Sequence, residues 1–198
     1  GPNGKTDKSA PVDDETHPNR GNGNGLPNGL SRYEYDALGR RVSKHVGNIK
    51  TLYFSLAQSP SYGFTPGQVI AEYTKKGGQS YKLAREYVYG LYIDEPLAKV
   101  ESGDVLYYHH NRKYDVIGLT NSTGSPVELY GYTPYGETTM LAPDGTERLV
   151  SAVFNPYHYT GRRLDEETGL WYFRARYMDS ELGRFISRDP IGYVDGAS

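Results

Sequence analysis

Along most of the chain apolar and polar positions alternate with a period of two, in short runs broken by turn residues. Tyr33-Glu34-Tyr35-Asp36 alternates aromatic and acidic residues, and Ala37-Leu38-Gly39 supplies a turn before Arg40–Lys44. Gln68–Lys75 and Tyr81–Tyr89 are β-rich runs joined by Lys76-Gly77-Gly78-Gln79, a hairpin signal. Ala98–Val100 and Val105–His109 flank Glu101-Ser102-Gly103-Asp104, and Ile117–Thr120 and Val127–Thr133 flank Asn121-Ser122-Thr123-Gly124. No window sustains the 3.6-residue period of a helix. The pattern predicts an all-β chain of successive hairpins.

A degenerate repeat overlies this pattern. Tyr-x-Tyr recurs at 33/35, 87/89, 130/132 and 157/159, and aromatic anchors at 33, 53, 73, 87, 107, 130, 157 and 172 are 14 to 27 residues apart. Such periods point to repeat architectures in which each unit buries its face by stacking on its neighbours. Both tyrosines of a Tyr-x-Tyr unit project to one face of a strand. The anchors therefore predict an aromatic stripe crossing the strands, built for packing rather than for a ligand.

The tail from Tyr157 to Gly192 reads YHYTGRRLDEETGLWYFRARYMDSELGRFISRDPIG. Two turn signals, Glu166–Gly169 and Asp179–Gly183, divide three aromatic- and Ile-containing runs, and the last run leads into Arg188-Asp189-Pro190. Read as one strand, Trp171–Tyr177 places Trp171, Phe173, Ala175 and Tyr177 on one face and Tyr172, Arg174 and Arg176 on the other. Asp165, Glu166 and Glu167 are then the expected ion partners of those arginines. The alternative is that the arginines brace an aspartate site.

Composition sharpens the picture. Hydrophobic residues are 36% of the 198, mean hydropathy is −0.69, and 20 residues are Tyr, so the core must be aromatic and partly wet. Residues 1–30, rich in Gly and Pro with few apolar positions, read as a flexible linker. The formal charge of −2 makes no electrostatic case for nucleic acid or an anionic membrane. There is no cysteine, which removes disulfides, thiol nucleophiles and Cys-ligated zinc. No apolar run approaches a membrane span, and the N-terminus lacks a signal-peptide core, so export would use elements outside this chain.

Candidate chemistry is sparse. Of His17, His45, His109, His110 and His158, only 109 and 110 adjoin, and strand neighbours face opposite ways, so no metal is expected. No Gly-x-Ser-x-Gly elbow occurs, and Gly77-Gly78 lacks the ending of a phosphate loop. Asn121-Ser122-Thr123 fits a glycosylation acceptor, yet its turn context accounts for it. No cofactor is called for.

The ordered motifs together resemble the Rhs/YD-repeat family. Tyr33–Arg40 resembles a single YD repeat, with Tyr35-Asp36 and Gly39-Arg40 in order. Tyr87-Val88-Tyr89-Gly90 with Tyr92–Leu97, then Tyr107-Tyr108-His109-His110, then Tyr132–Glu137, resemble successive landmarks, and the tail resembles the family's RHS core. Asn111-Arg112-Lys113-Tyr114 departs from the Asp and Gly residues common there.

The resemblance implies a curved partial β-shell over 31–150, with an inward-turning core or plug segment over 151–198. Family shells, those of Tc toxin C components and teneurins among them, enclose space, and toxin-carrying members hold a C-terminal effector in cis and release it by autoproteolysis. The expected partners are that cargo and upstream shell repeats, and the expected location is secreted or cell-surface. The family chemistry uses two aspartates, one protonated and one polarising water. The matching position here is Asp189, with Arg188 as its charge partner. The second aspartate belongs to an Asp-Pro-x-Gly-Leu motif that this sequence lacks, so the chain as it stands is expected not to cut itself. Asp189-Pro190 also reads as an ordinary turn. The alternative function is a surface adhesion or structural module that binds carbohydrate or protein without catalysis.

Overall fold

The computed structural model describes residues 31–56 and 67–190. The predicted linker at 1–30 and the end of the tail from 191 lie outside the described residues. The architecture is all-β. Eleven strands form one open antiparallel sheet in which each pairs with the strand before and after it. These are β1 (Ser31–Tyr35), β2 (Arg41–Val46), β3 (Ile49–Ser55), β4 (Val69–Lys76), β5 (Lys82–Tyr89), β6 (Pro96–Glu101), β7 (Asp104–His110), β8 (Val116–Thr120), β9 (Pro126–Tyr132), β10 (Thr138–Leu141) and β11 (Glu147–Arg148). The tail builds a second antiparallel sheet from β12 (Arg163–Asp165), β13 (Leu170–Tyr172), β14 (Tyr177–Asp179) and β15 (Arg184–Phe185). A 3-10 turn at Tyr159–Gly161 leads into it.

The predicted hairpins are present, and they omit β3, β10 and β11. The β6–β7 turn shows why the sequence reads so directly. Glu101 pairs with Asp104, and the two residues between, Ser102 and Gly103, both take positive φ, at 53° and 91°. That geometry matches the twist of the flanking strands.

Register decides which side chains meet. Tyr87 lies opposite Lys99, Tyr108 opposite Leu119, Leu119 opposite Glu128, and Tyr130 opposite Met140. Directly opposed residues share a face. This face carries the core cluster of Tyr87, Tyr108, Val116, Leu119, Tyr130 and Met140, completed by Tyr157 from the tail. The other face shows Phe54, Val88, Tyr107 and Leu129 to solvent.

Two anchors of the expected stripe therefore lie on the wrong side. Tyr107 is 45% exposed while its neighbour Tyr108 is 6% exposed and occupies the core. Tyr73 packs edge-on to Phe54 on the uncovered face, centroids 5.1 Å apart. A spacing near 20 ignores turn length and the bulges in β4–β5 and β7–β8, and one residue of slip reverses every side chain.

Trp171–Tyr177 is likewise not one strand. Arg174 takes φ +61°, Phe173 N–H donates to the Arg176 carbonyl, and Tyr172 pairs with Tyr177. The segment is a hairpin, so Tyr177 joins Tyr172 rather than Trp171. Trp171 is fully buried and Phe173 is half-buried.

The tail is seated on the sheet by a close backbone approach. Gly161 takes φ +66°, and a Cβ there would overlap the Asp94 carbonyl in the β5–β6 loop. Gly161→Ala is expected to lower stability by about 3 kcal/mol or more, combining backbone overlap with the left-handed penalty. Gly145→Ala, also at positive φ but facing open space, is expected to cost only about 1 kcal/mol. Urea denaturation of the two variants measures the difference.

Candidate functional site

The polar chemistry of the molecule is concentrated in a seam between the covered face and the tail. At one end β2 contributes Arg41, which donates to both carboxylate oxygens of Asp165 on β12 at 2.8 and 2.6 Å. Both residues are almost completely buried, and the Arg41 guanidinium lies 3.8 Å from the Tyr172 ring centroid and 4.5 Å from that of Tyr33. Burial works against the Asp165 carboxylate, but Arg41 and Lys44 hold its pKa below the usual range.

Beside it the charges are exchanged. Glu72 on β4 is the buried anion, and Arg163 on β12 reaches it from the tail. Glu72 also accepts from Arg85 at 2.8 Å and from the Tyr87 hydroxyl at 3.0 Å. Burial again opposes the charge, and Arg163 and Arg85 overcome it, holding Glu72 down at about 2.

Further along, Asn155 links the tail to two sheet tyrosines. Its Oδ1 accepts from the Tyr108 hydroxyl at 2.8 Å and its Nδ2 donates to the Tyr130 hydroxyl at 3.0 Å. Glu128 accepts from the Ser151 hydroxyl at 2.7 Å and the Ala152 N–H at 2.9 Å. At the loop end, Asp94 pairs with Arg162 at 2.9 Å and Arg174 at 2.6 Å. Apart from the Arg85 and Tyr87 bonds to Glu72, which join the neighbouring strands β4 and β5, these contacts join elements distant in sequence, and each satisfies a buried polar group.

The sequence-derived aspartate lies at the far end of the tail. Asp189 is partly exposed, and the Arg176 guanidinium sits 3.1 Å from it while stacking 3.7 Å over the Phe185 ring. Phe185 in turn meets Phe173 edge-on at 5.2 Å. Arg188 is exposed. The arginines thus divide differently from the expected pairing: Arg174 goes to Asp94 and Arg176 to Asp189, while Asp165 is held by Arg41. The Phe173–Arg176 turn, with Arg174 at positive φ, breaks the strand alternation that would have set the two arginines on one face. Pro190, next to Asp189, lines a groove of about 580 Å³ together with Tyr35, Arg41, Tyr53, Tyr172 and Arg174.

Among the described residues, no three His, Asp or Glu side chains gather as a metal site would require. No helix there is long and apolar enough to cross a membrane.

Comparison with known proteins places this sheet-and-tail unit. The chain is 34% identical over 169 residues to the tRNA3(Ser)-specific nuclease WapA of Bacillus spizizenii, covering 85% of this chain and 6% of that protein. It is 26% identical over 186 residues to the double-stranded DNA deaminase toxin A of Burkholderia cenocepacia, covering 85% of this chain and 12% of that protein. Among solved structures, a chain of the TcdB2–TccC3–Cdc42 crystal structure superposes with a TM-score of 0.55 at 22% identity, covering 84% of this chain and 8% of that one. This last likeness establishes the shared fold. The chain spans only a small part of each of these relatives. No protein-family model matches it.

Breaking one partner of a buried pair leaves an uncompensated charge, which costs about 3–5 kcal/mol. Arg41→Met is expected to destabilise by that amount, and adding Asp165→Leu to recover most of it, measured by denaturant unfolding. Glu72 predicts an acid limb. Its folded pKa lies below the unfolded 4.5, so its contribution is complete above pH 4.5 and disappears as pH falls toward about 2. The span corresponds to about 3 kcal/mol. Glu72→Gln is expected to be destabilised at neutral pH and to show a shallower slope in this window, the remainder coming from Asp165 and Glu34.

Proposed function

We propose that this chain is part of the β-shell wall of a longer Rhs/YD-type toxin protein, with 31–150 as wall and 151–198 as the core segment. The carrying observation is that one stretch recurs within relatives named for different chemistries, a tRNA nuclease and a DNA deaminase. A stretch common to different chemistries is not the source of either one, so the shared unit is assigned to enclosing the cargo and the variable part to the toxic reaction. The seam supports the same reading. Its charges are satisfied internally, as suits a wall that must keep its shape around a partly folded guest.

In the longer protein, Asp189 acts as one of two carboxylates that cut the chain ahead of the cargo. One carboxylate keeps a proton and the other draws a proton from water as that water adds to the scissile carbonyl. The C–N bond then breaks and the departing amine takes the proton. Arg176, clamped on Phe185, fixes the Asp189 carboxylate, and Arg188 offers a second cation for the developing oxyanion.

The test is a longer version of the protein that extends past an Asp-Pro-x-Gly-Leu motif. It is expected to run as two bands on a denaturing gel, with Asp189→Asn leaving one band and Arg176→Ala slowing the appearance of the second by about tenfold or more. Continued cleavage in Asp189→Asn removes Asp189 from the mechanism.

A further inference from the structure

We propose that His158 is an acid-sensitive latch, holding the tail on the long sheet while its imidazole is neutral and releasing it when a second proton binds. The residue is completely buried. Its backbone is fixed on both sides: the N–H donates to the Arg162 carbonyl and the carbonyl accepts from Val116 N–H, each at 3.0 Å. The second bond ties the tail to β8.

The ring is held as closely. Nε2 lies 2.8 Å from the Asn155 carbonyl oxygen. Since that oxygen can only accept, Nε2 carries the proton of the neutral ring. Nδ1 is buried and has no hydrogen-bond partner. The ring meets Tyr130 edge-on at 4.7 Å and Trp171 at 6.0 Å. A proton on Nδ1 would thus create a buried charge and a donor with nothing to receive it.

No group that faces the ring gives Nδ1 an acceptor. From β9 come Tyr130 and Glu128, and Glu128 is already engaged by Tyr130, Ser151, Ala152 and Arg148. Next to β8, Asp115 accepts from Asn111 and from Thr160 N–H. Within the tail, Arg162 is paired with Asp94. From β13 the neighbour is Trp171, which does not titrate. Burial, partly offset by the Asn155 bond and by Glu128, pushes the His158 pKa from 6.5 down to about 4.

The sign follows from that direction. The seated form binds fewer protons than the released form between the two values, so seating is strongest above pH 6.5 and weakens as pH falls. The ratio of seated to released tail drops by roughly tenfold at pH 5.5 and roughly 80-fold by pH 4.5. Glu72 stays ionised over this window because its folded pKa is about 2. His45 on β2 and His110 on β7 are also lowered by burial, so the readout has to be local. Trp171 provides it, being the single tryptophan of the chain and a direct neighbour of the imidazole.

Trp171 emission and hydrogen exchange, followed from about pH 7.5 to about pH 4.5, test the latch. The expected result is a red shift, with residues 157–172 losing roughly 80-fold in protection while β4–β6 keep theirs. His158→Gln and His158→Phe, which cannot take the charge, are expected to show neither change. An unmoved Trp171 emission in the native protein overturns the latch, and so does a variant that opens at the native pH. Should both variants fail to fold, the NMR titration of His158 in the native protein decides: a pKa below about 5.5 supports the latch, and one at or above that value overturns it.

Discussion

The structure depends on a reciprocal exchange of buried charge between the long sheet and the tail. Arg41 of the sheet meets Asp165 of the tail, and Glu72 of the sheet meets Arg163 of the tail. Neither face could be buried alone, since an isolated interior charge is prohibitively costly. Because the two pairs run in opposite senses, they also select register. Arg163 and Asp165 are two residues apart on β12 and share a face. A slip of one residue turns both away, and a slip of two sets like charges against each other. Such specificity is the best-attested use of buried ion pairs, which add little net stability themselves.

Tyrosine suits this arrangement because one side chain supplies both apolar cover and a polar tip. Tyr157 packs edge-on to Tyr87 with centroids 5.0 Å apart, and its hydroxyl bonds that of Tyr89 at 2.6 Å. Leucines in these places would leave Glu72, Asn155 and Arg163 short of partners. The low mean hydropathy and the abundance of Tyr are therefore two aspects of one solution: a thin aromatic layer sealed by a hydrogen-bonded seam. A sheet of this kind keeps its shape without a thick apolar core, and its second face shows Phe54, Val88, Tyr107 and Leu129 to solvent. His158 is one place where the seal is incomplete, with its Nδ1 unanswered; the buried Tyr53 hydroxyl and the Trp171 indole N–H are others.

The hairpins were legible because their signals are local. Ser102-Gly103 and Lys76–Gln79 announce chain reversals whatever surrounds them, and an antiparallel meander follows when every turn is short. The facing of individual tyrosines was less legible. Tyr107 and Tyr108 are identical in type and adjacent, and only the strands on either side determine which of them enters the core. The Trp171–Tyr177 segment misleads for a related reason. Its alternation is that of a strand, yet Arg174 in a left-handed conformation folds it into a hairpin. Arg174 finds Asp94, 80 residues away, and Arg176 finds Asp189. Asp189 stands out by its motif, and the alternative reading set Arg174 and Arg176 beside an aspartate site; only the fold decides that Arg176 reaches Asp189 while Arg174 goes to Asp94.

By itself the sequence determined the class of structure: two-residue alternation, glycine turns and a tyrosine-rich, cysteine-free composition admit an all-β array and little else. It also singled out the tail as a distinct unit. Only the tertiary structure decided which face the tail covers, which charges are exchanged across the seam, and that His158 ends up completely buried. The physical reason is range. Backbone preference and side-chain alternation act over a few neighbouring residues, while desolvation and ion pairing depend on whatever the fold brings within a few ångströms, from anywhere along the chain.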